Sequence, residues 1–589
     1  MSKRRPVKAS APPSPSPSTE EGGALAALLW AALFAALAFV PDQKILRWKL
    51  LALEAGTASA LLTLALSWLR RTRAEWTRTP LDLPVALYAA GGLLFYALSP
   101  ERGVSRPELV RILFSAAAFF AAAQTWPLLR EPRTAPRVLA GAAGLLAAYA
   151  LLQPFGGIGI LQVPRLERPI ATFGNPIFLA AFLAASLPSA LALALDEETL
   201  ARRTAAGVSA LLCAGALWAA QSRAAFAGLV FAGALFGIMI LRGRARIVTL
   251  SSAALFAALA LWLFRGREWT HGLIWRDALA LWRAHPLIGC GLGRFHVEFP
   301  AYASEALRAL WPEQKVIVNF AHNEYLQTLC ETGLVGLLLF LAVPAAALRR
   351  LAPAAGAPPV PRWALGALLG AAALFGQAVF SPDLRFGVSA FLLFALLGGA
   401  ASAAGRREPL PTFPGRFAGA AILALATASW AWLAAAPALA NRRLAREPGF
   451  HVEQTPELRA ALDELEVRLR AEPANGDLAE HLAWLYAKAR RWERAVPLYE
   501  QAALHLPGRP GPLNNLGNIA YTVGKREEAI SWWERSLAVD DGQVDAHLNL
   551  GKTLYETGRL KEAAAHLQKV LVKDPSNEKA QVLLKKMVE

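Results

Sequence analysis

Apolar stretches of about 17–23 residues recur thirteen times along the first three-quarters of the chain and stop near Leu439. A helix needs about 20 such residues to cross ~30 Å of hydrocarbon. The pattern therefore predicts an all-α fold class, a transmembrane bundle of 12–13 helices over 23–440 followed by an α-solenoid. The predicted spans are 24–40, 48–69, 83–99, 107–126, 136–155, 175–195, 204–221, 224–241, 247–264, 326–348, 363–380, 386–404 and 417–439.

The charged C-terminal part repeats with a period of 34 residues. Gly517 and Ala529 recur 34 residues later as Gly551 and Ala563, and the same positions one period earlier hold alanines. This pattern is typical of tetratricopeptide repeats, whose helix pairs stack into a solenoid with a concave groove. The predicted units are 476–509, 510–543 and 544–577 plus a C-terminal helix, after a linker and partial repeat at 441–475. The groove predicts binding of a protein or polymer, the alternative being a cap or spacer.

Composition agrees with a membrane protein. The 589 residues are 55% hydrophobic with a mean hydropathy of +0.34, which excludes an ordinary soluble domain. The net charge of +17 lies in short clusters between apolar stretches, which argues against nucleic-acid binding. The three cysteines, Cys213, Cys290 and Cys330, are far apart, and no Asp-rich pair, His/Cys ligand spacing or nucleotide loop is evident. We expect no metal and no cofactor.

The cation clusters also predict topology. Alternate loops are rich in arginine, so the N-terminus, with a disordered tail at 1–22, is expected in the cytoplasm. Lys44, Arg47 and Lys49 are an exception on the opposite side. The long loop at about 265–321 then faces outward. With an odd number of spans, the repeat domain lies outside too.

A polar cluster at 321–336 marks the mouth of the helix that follows the long loop. An ionisable residue at membrane depth costs roughly 2.5–3.5 kcal/mol unless it is paired or functional. Four of the nine histidines lie in this loop or at its end, and His322 is flanked by Asn323 and Glu324. Because histidine exchanges protons near neutral pH, His322 is the candidate base. Whether Glu324 takes part or only orients it stays open.

Arg223 is a candidate for binding an anion, whereas Arg276 lies in a stretch of a different kind. Arg223 lies at a break between two apolar stretches on the cation-poor side, and its planar fork suits phosphate. The alternative is an arginine that reaches to the lipid headgroups. Arg276 lies in an amphipathic stretch with two tryptophans that is typical of an interfacial helix.

Three segments together resemble the O-antigen ligase and polymerase (Wzy-type) superfamily of polytopic glycan transferases. They are Gln-Ser-Arg-Ala-Ala-Phe-Ala-Gly at 221–228, His-Pro-Leu-Ile-Gly-Cys-Gly-Leu-Gly-Arg-Phe at 285–295, and Ala-His-Asn-Glu-Tyr-Leu-Gln at 321–327 continuing to Glu-Thr-Gly at 331–333. Thr-Phe-Gly-Asn-Pro at 172–176 is also similar to that family. The resemblance covers roughly 170–400.

The resemblance implies a metal-independent, inverting transferase that takes a glycan from an undecaprenyl diphosphate carrier. His322 would activate the acceptor hydroxyl, Arg223 would hold the diphosphate and Arg276 would assist. Family members often carry an arginine shortly before the Trp-Arg pair, where this chain has His271. Either protonated His271 or a neighbouring arginine, Arg265 or Arg267, would replace it. The expected substrate-binding residues are Asn323, Glu324, Tyr325, Gln327, Arg265, Arg267, His271 and Arg294.

The sequence thus favours a ligase or polymerase of the bacterial inner membrane, with lipid A core sugar, protein or another glycan as acceptor. One alternative is a metal-dependent transferase acting on a lipid-phosphate sugar, supported only by Asp42 in the first outward loop. Another is a flippase or polysaccharide export scaffold without enzymatic activity, whose repeats recruit partners.

Overall fold

The structure is a computed structural model that describes residues 17–40, 47–69, 73–100, 102–158, 161–239, 241–263, 271–309, 318–351, 361–430, 456–488, 491–575 and 577–588. Asp42, Lys44, Arg265 and Arg267 lie outside the described residues, as do residues 441–455 of the predicted linker.

Thirteen helices lie at the thirteen predicted positions. They are α1 (Pro17–Phe39), α2 (Arg47–Leu69), α3 (Asp82–Leu98), α4 (Arg102–Thr125), α5 (Thr134–Leu152), α6 (Pro176–Asp196), α7 (Leu200–Ala220), α8 (Arg223–Met239), α9 (Gly243–Leu263), α13 (Glu324–Leu351), α14 (Arg362–Gln377), α15 (Val388–Ala403) and α16 (Gly415–Trp430). By length and composition, α2, α4, α5, α6, α7 and α13 could each cross a membrane. The predicted class, a helical membrane bundle followed by repeats, is confirmed.

The remaining helices belong to the long loop and the repeats. The loop holds α10 (His271–Ala284), α11 (Phe295–Glu298) and α12 (Glu305–Ala309). The tail holds α17 (Pro456–Ala471), α18 (Gly476–Lys488), α19 (Trp492–His505), α20 (Gly511–Thr522), α21 (Arg526–Val539), α22 (Val544–Glu556), α23 (Leu560–Lys573) and α24 (Glu578–Val588).

Two short antiparallel sheets were not predicted. They pair β1 (Arg73–Arg78) with β4 (Arg406–Pro414), and β2 (Gly157–Ile158) with β3 (Leu161–Gln162). The free edge of β1 is covered by Gln124, whose amide accepts from Thr77 N at 2.8 Å and donates to Thr77 O at 2.8 Å. Such coverage satisfies strand groups that would otherwise be unpaired.

The centre of the bundle is α15, which packs between α4 and α14. Every residue from Val388 to Ala401 is buried. A helix that is apolar on all sides must be enclosed by other helices, and this one organises the largest apolar cluster of the structure.

The helix that follows the long loop, α13, is broken at Gly333, whose φ of 64° and ψ of −166° are not helical. The loop segment 286–291 enters the break. Leu334 N donates to Pro286 O at 2.9 Å, and Cys290 N donates to Cys330 O at 2.9 Å. Backbone groups freed at membrane depth need such partners. The glycine-rich segment that begins at Gly289 is therefore packed against this helix at its break.

The repeat array contacts the long loop. His296 Nε2 lies 2.8 Å from Asp477 Oδ2, and Arg308 Nη1 lies 3.6 Å from Asp540 Oδ1. The array therefore lies on the same side of the bundle as the long loop. That side is called the loop side below, and α13 runs from it to the opposite side.

The break in α13 yields a stability prediction. A Cβ on Gly333 would lie 2.2 Å from the Leu287 carbonyl carbon. The backbone of Gly333 itself also has a positive φ, which residues with a Cβ rarely adopt. Gly333→Ala should therefore destabilise the protein by about 1–3 kcal/mol from backbone strain alone, and more from the clash. Thermal unfolding in detergent measures the effect. The matched control is Gly207→Ala in α7, where a Cβ meets nothing within 4 Å. Equal melting temperatures for the two variants would contradict the packing described.

Candidate functional site

His322 is held in a strained backbone conformation at the loop-side mouth of α13. Its φ is +53°, in the left-handed region. The preceding residue, Ala321, is fixed twice: its carbonyl accepts from Trp275 Nε1 at 2.9 Å and its N–H donates to Gln327 Oε1 at 3.0 Å. Strained residues that their surroundings hold in place cluster at functional sites. This geometry favours a function for His322.

The ring of His322 stacks on the ring of His271 from α10, with centroids 4.6 Å apart and planes 9° apart. Burial, together with the neighbouring His271, lowers the pKa of His322 to about 4. Burial and the Arg223 guanidinium lower the pKa of His271. Both imidazoles are therefore neutral near pH 7, and a neutral imidazole can accept a proton. The structure brings together three predicted residues: His322, His271 and Arg223.

Arg223 lies in the first turn of α8. Ser222 precedes this helix and caps it, its hydroxyl accepting from Ala225 N at 3.4 Å. The helix α7 ends next to it at Gln221, whose φ is +50°. There Arg168, which the sequence did not single out, donates from Nη2 to Ala220 O at 2.7 Å. A helix N-terminus attracts anions, and Arg223 adds a full charge. The site suits a phosphate.

A cluster of buried charges lies behind His322, centred on Arg385. The Arg385 side chain, 5% exposed, lies 3.0 Å from a Glu324 oxygen, 2.6 Å from a Glu331 oxygen and 2.9 Å from a Glu108 oxygen. Arg111 is the second cation: its Nε donates to Glu108 at 2.9 Å, and its Nη2 lies 3.8 Å from Glu324. Burying a carboxylate is costly unless it is paired and hydrogen-bonded. Arg385 and Arg111 meet this need.

A fourth acid, Asp383, borders the cluster and accepts from Ser381 Oγ at 2.6 Å. Burial raises the pKa of Asp383 to about 7. Neither Asp383 nor Arg385 was predicted from the sequence. The sequence did contain a signal for them: an acidic and a basic residue lie in the otherwise apolar connection between two predicted spans.

Other predicted binding residues have structural partners. Asn323 caps α13, its Oδ1 accepting from Leu326 N at 3.0 Å. Gln327 joins Ala321 to Glu331 through bonds of 3.0 Å each. Arg294 is buried and pairs with Glu298. These contacts favour a role in positioning the site.

Two further predicted residues, Arg276 and Tyr325, have surroundings unlike those of Asn323, Gln327 and Arg294. Arg276 is exposed on α10, and within the described part of the chain no hydrogen bond or ion pair joins it to His322 or Arg223. The Tyr325 hydroxyl donates to Phe375 O at 2.7 Å, and its ring lines an apolar cavity of about 410 Å³ between α8, α13 and α14. The cavity extends from Tyr325 toward Leu348 and Leu365, away from the loop side.

Lys49 is one of the three cations that depart from the charge pattern, and it is fully buried at the loop-side end of α2. Its Nζ donates to Thr172 O at 3.2 Å and lies 3.5 Å from the centre of the Phe173 ring. A cation enclosed by a carbonyl and an aromatic face has a packing role. This explains why it departs from the topology rule, and it gives the Thr-Phe-Gly-Asn-Pro segment a structural partner.

The fold and site define a polytopic membrane protein with a histidine–arginine centre at one face, joined to a repeat array. Residues 208–341, which include Arg223, His271, Arg276 and His322, match the family model described as O-antigen ligase. Residues 478–511 and 520–587 match models described as tetratricopeptide repeat. Separate segments of the chain therefore match O-antigen ligase and tetratricopeptide repeats, which confirms the resemblance seen in the sequence.

A search of the curated proteins finds no match to the chain. Solved structures that are similar include the Arabidopsis OM64 TPR domain, at 23% identity over 19% of this chain and 93% of that one, with a TM-score of 0.18. MamA matches at 17% identity over 22% of this chain and 87% of its own, with a TM-score of 0.21. The APC/C hetero-tetramer Cut9-Hcn1 matches at 11% identity over 92% and 90%, with a TM-score of 0.23. TM-scores this low do not show a shared overall fold.

The buried cluster yields a second prediction. Arg385→Met should destabilise the protein by about 3–5 kcal/mol, because it leaves Glu108, Glu324 and Glu331 with too little compensating charge. Thermal unfolding in detergent is the measurement. Arg362→Met is the control, since the Arg362 side chain is 65% exposed and its ion pair is at the surface. An Arg385 variant as stable as this control would contradict the role assigned to the cluster.

Proposed function

We propose that the protein transfers a glycan from an undecaprenyl diphosphate carrier to an acceptor hydroxyl, with His322 as the base and Arg223 as the diphosphate-binding cation. The observation that carries this proposal is the stacked His322–His271 pair beside Arg223 at the mouth of α13. The match of 208–341 to O-antigen ligase supports a membrane ligase that moves a glycan.

The proposed reaction needs one proton transfer and one displacement. His322 removes the proton of the acceptor hydroxyl as its oxygen attacks the anomeric carbon of the glycan. The bond from that carbon to the diphosphate breaks, and undecaprenyl diphosphate leaves with the electron pair. Arg223 and the N-terminus of α8 stabilise the charge on the leaving group. The chain's own residues supply each of these roles, so the proposal includes no metal.

The apolar cavity supports a polyprenyl carrier. Arg223 is the first residue of α8, at the loop side. Two to four turns further along the same helix, Phe231, Leu235 and Phe236 line the cavity. A diphosphate at Arg223 would thus place its lipid chain against apolar side chains. Ligand sites commonly combine such an apolar wall with a few polar groups.

We further propose that the protein lies in the bacterial inner membrane with its N-terminus in the cytoplasm. The charge pattern supports this orientation. In that orientation, the contacts of His296 and Arg308 with the repeat array support a periplasmic position for the array. There its groove would be available to an acceptor or a partner.

His322→Ala should reduce transfer by about 10²–10⁴-fold, the usual contribution of a general base. The assay is purified protein with a fluorescent carrier-linked glycan and an acceptor. His285→Ala is the matched control, because His285 is exposed in the same loop.

The pH dependence of transfer is a second test of the base. A base with a pKa of about 4 stays deprotonated from pH 8 down to ~5. We therefore expect kcat/KM to be flat over that interval and to fall only below it. Unchanged transfer by His322→Ala, or a fall centred near 6.5, would contradict this role.

Arg223→Lys should weaken carrier binding by roughly tenfold even though the charge is kept, because lysine cannot form the paired bonds of a guanidinium to phosphate. The KM for the carrier measures this loss. Arg244→Lys, an exposed change at the start of α9, should leave KM unchanged. If Arg223→Lys has the wild-type KM, the arginine only reaches to lipid headgroups.

A further inference from the structure

A second cavity lies at the end of α13 opposite His322. It has a volume of about 630 Å³, and its walls include Arg78, Arg350, Trp76, Asp82 and Leu83. Arg350 is in the last turn of α13, whereas Glu324 begins that helix. At 1.5 Å per residue the two ends are ~40 Å apart. The cavity is therefore separate from the proposed catalytic site.

The charged walls of the cavity favour an anion. Arg78 comes from the end of β1 and Arg350 from α13, so two elements converge on it. Among the described residues of the wall, the one acid is Asp82, and it is occupied by internal bonds: its Oδ2 accepts from Trp76 Nε1 at 3.2 Å and its Oδ1 from Thr79 Oγ1 at 2.6 Å. Arg78 pairs with Glu408 at 3.1 Å, but both side chains are well exposed, and such pairs are weak.

An apolar stripe begins at the same cavity. Leu83, in its wall, is 68% exposed, and Leu87, Leu94 and Leu98 follow on one face of α3 with exposures of 45–55%. From Leu83 to Leu98 the stripe is ~22 Å long, comparable to an acyl chain. Trp76, also in the wall, is the type of residue that lies at a membrane–water interface. A free phosphate ion would use the arginines and leave the stripe uncovered.

We propose that this cavity binds an acidic phospholipid. Arg78 and Arg350 hold the headgroup phosphate, and an acyl chain lies along Leu83, Leu87, Leu94 and Leu98. In the proposed orientation the ligand comes from the cytoplasmic leaflet, where clusters of cations attract acidic lipids. It would bridge the start of α3 and the end of α13, the helix whose other end carries the residues next to His322.

Native mass spectrometry of the full-length protein, titrated with phosphatidylglycerol or phosphatidylcholine, tests the proposal. An arginine near an acidic lipid surface contributes about a fivefold change in affinity. We expect Arg78→Gln and Arg350→Gln each to weaken phosphatidylglycerol binding by roughly fivefold. Arg349→Gln, one residue away and outside the cavity, should bind as the wild type does. Leu83→Gln tests the stripe without changing charge and should weaken binding severalfold.

Three outcomes would overturn the proposal. One is equal phosphatidylglycerol binding by all four variants, which would indicate a general attraction to a basic surface. Another is equal binding of phosphatidylcholine by the wild-type protein. The third is inorganic phosphate that competes with phosphatidylglycerol at equal concentration while Leu83→Gln has no effect, which would identify the ligand as a free ion.

Discussion

The structure depends on neutralising acids that are buried at the loop-side end of the bundle. Glu108 of α4, Glu324 and Glu331 of α13, and Asp383 before α15 meet where water is excluded. Isolated there, such carboxylates would be too costly to keep ionised. Arg385 contacts three of them with one guanidinium, so α4, α13 and the connection before α15 are held at fixed positions.

The proposed base, His322, is attached to this cluster through its neighbours in the chain. Glu331 accepts from Gly293 N at 3.0 Å, and Gln327 links Glu331 to Ala321, the residue before His322. The long loop packs into the break of α13 and presents His271 to His322. Arg223 approaches from a separate helix. His322 therefore faces the loop side on a rigid support, which is how a site keeps its reacting groups in position.

The sequence predicted the helices because a span must be apolar over its whole length, a local property. It predicted His322 and Arg223 because charge at a helix mouth is rare. It could not predict Arg385, whose importance arises from three carboxylates up to 277 residues away in sequence. Nor could it show that Lys49 is enclosed by Thr172 and Phe173, or that the glycine-rich segment fills a gap in α13. These properties depend on which distant segments meet.

The most direct measurement follows undecaprenyl diphosphate released by the purified protein in lipid nanodiscs, supplied with carrier-linked glycan and acceptor. The account predicts release in equal amount to glycan transferred, dependent on acceptor and unchanged by a chelator of divalent metals. Transfer without release of the diphosphate carrier, or release that stops when the chelator is added, would contradict it.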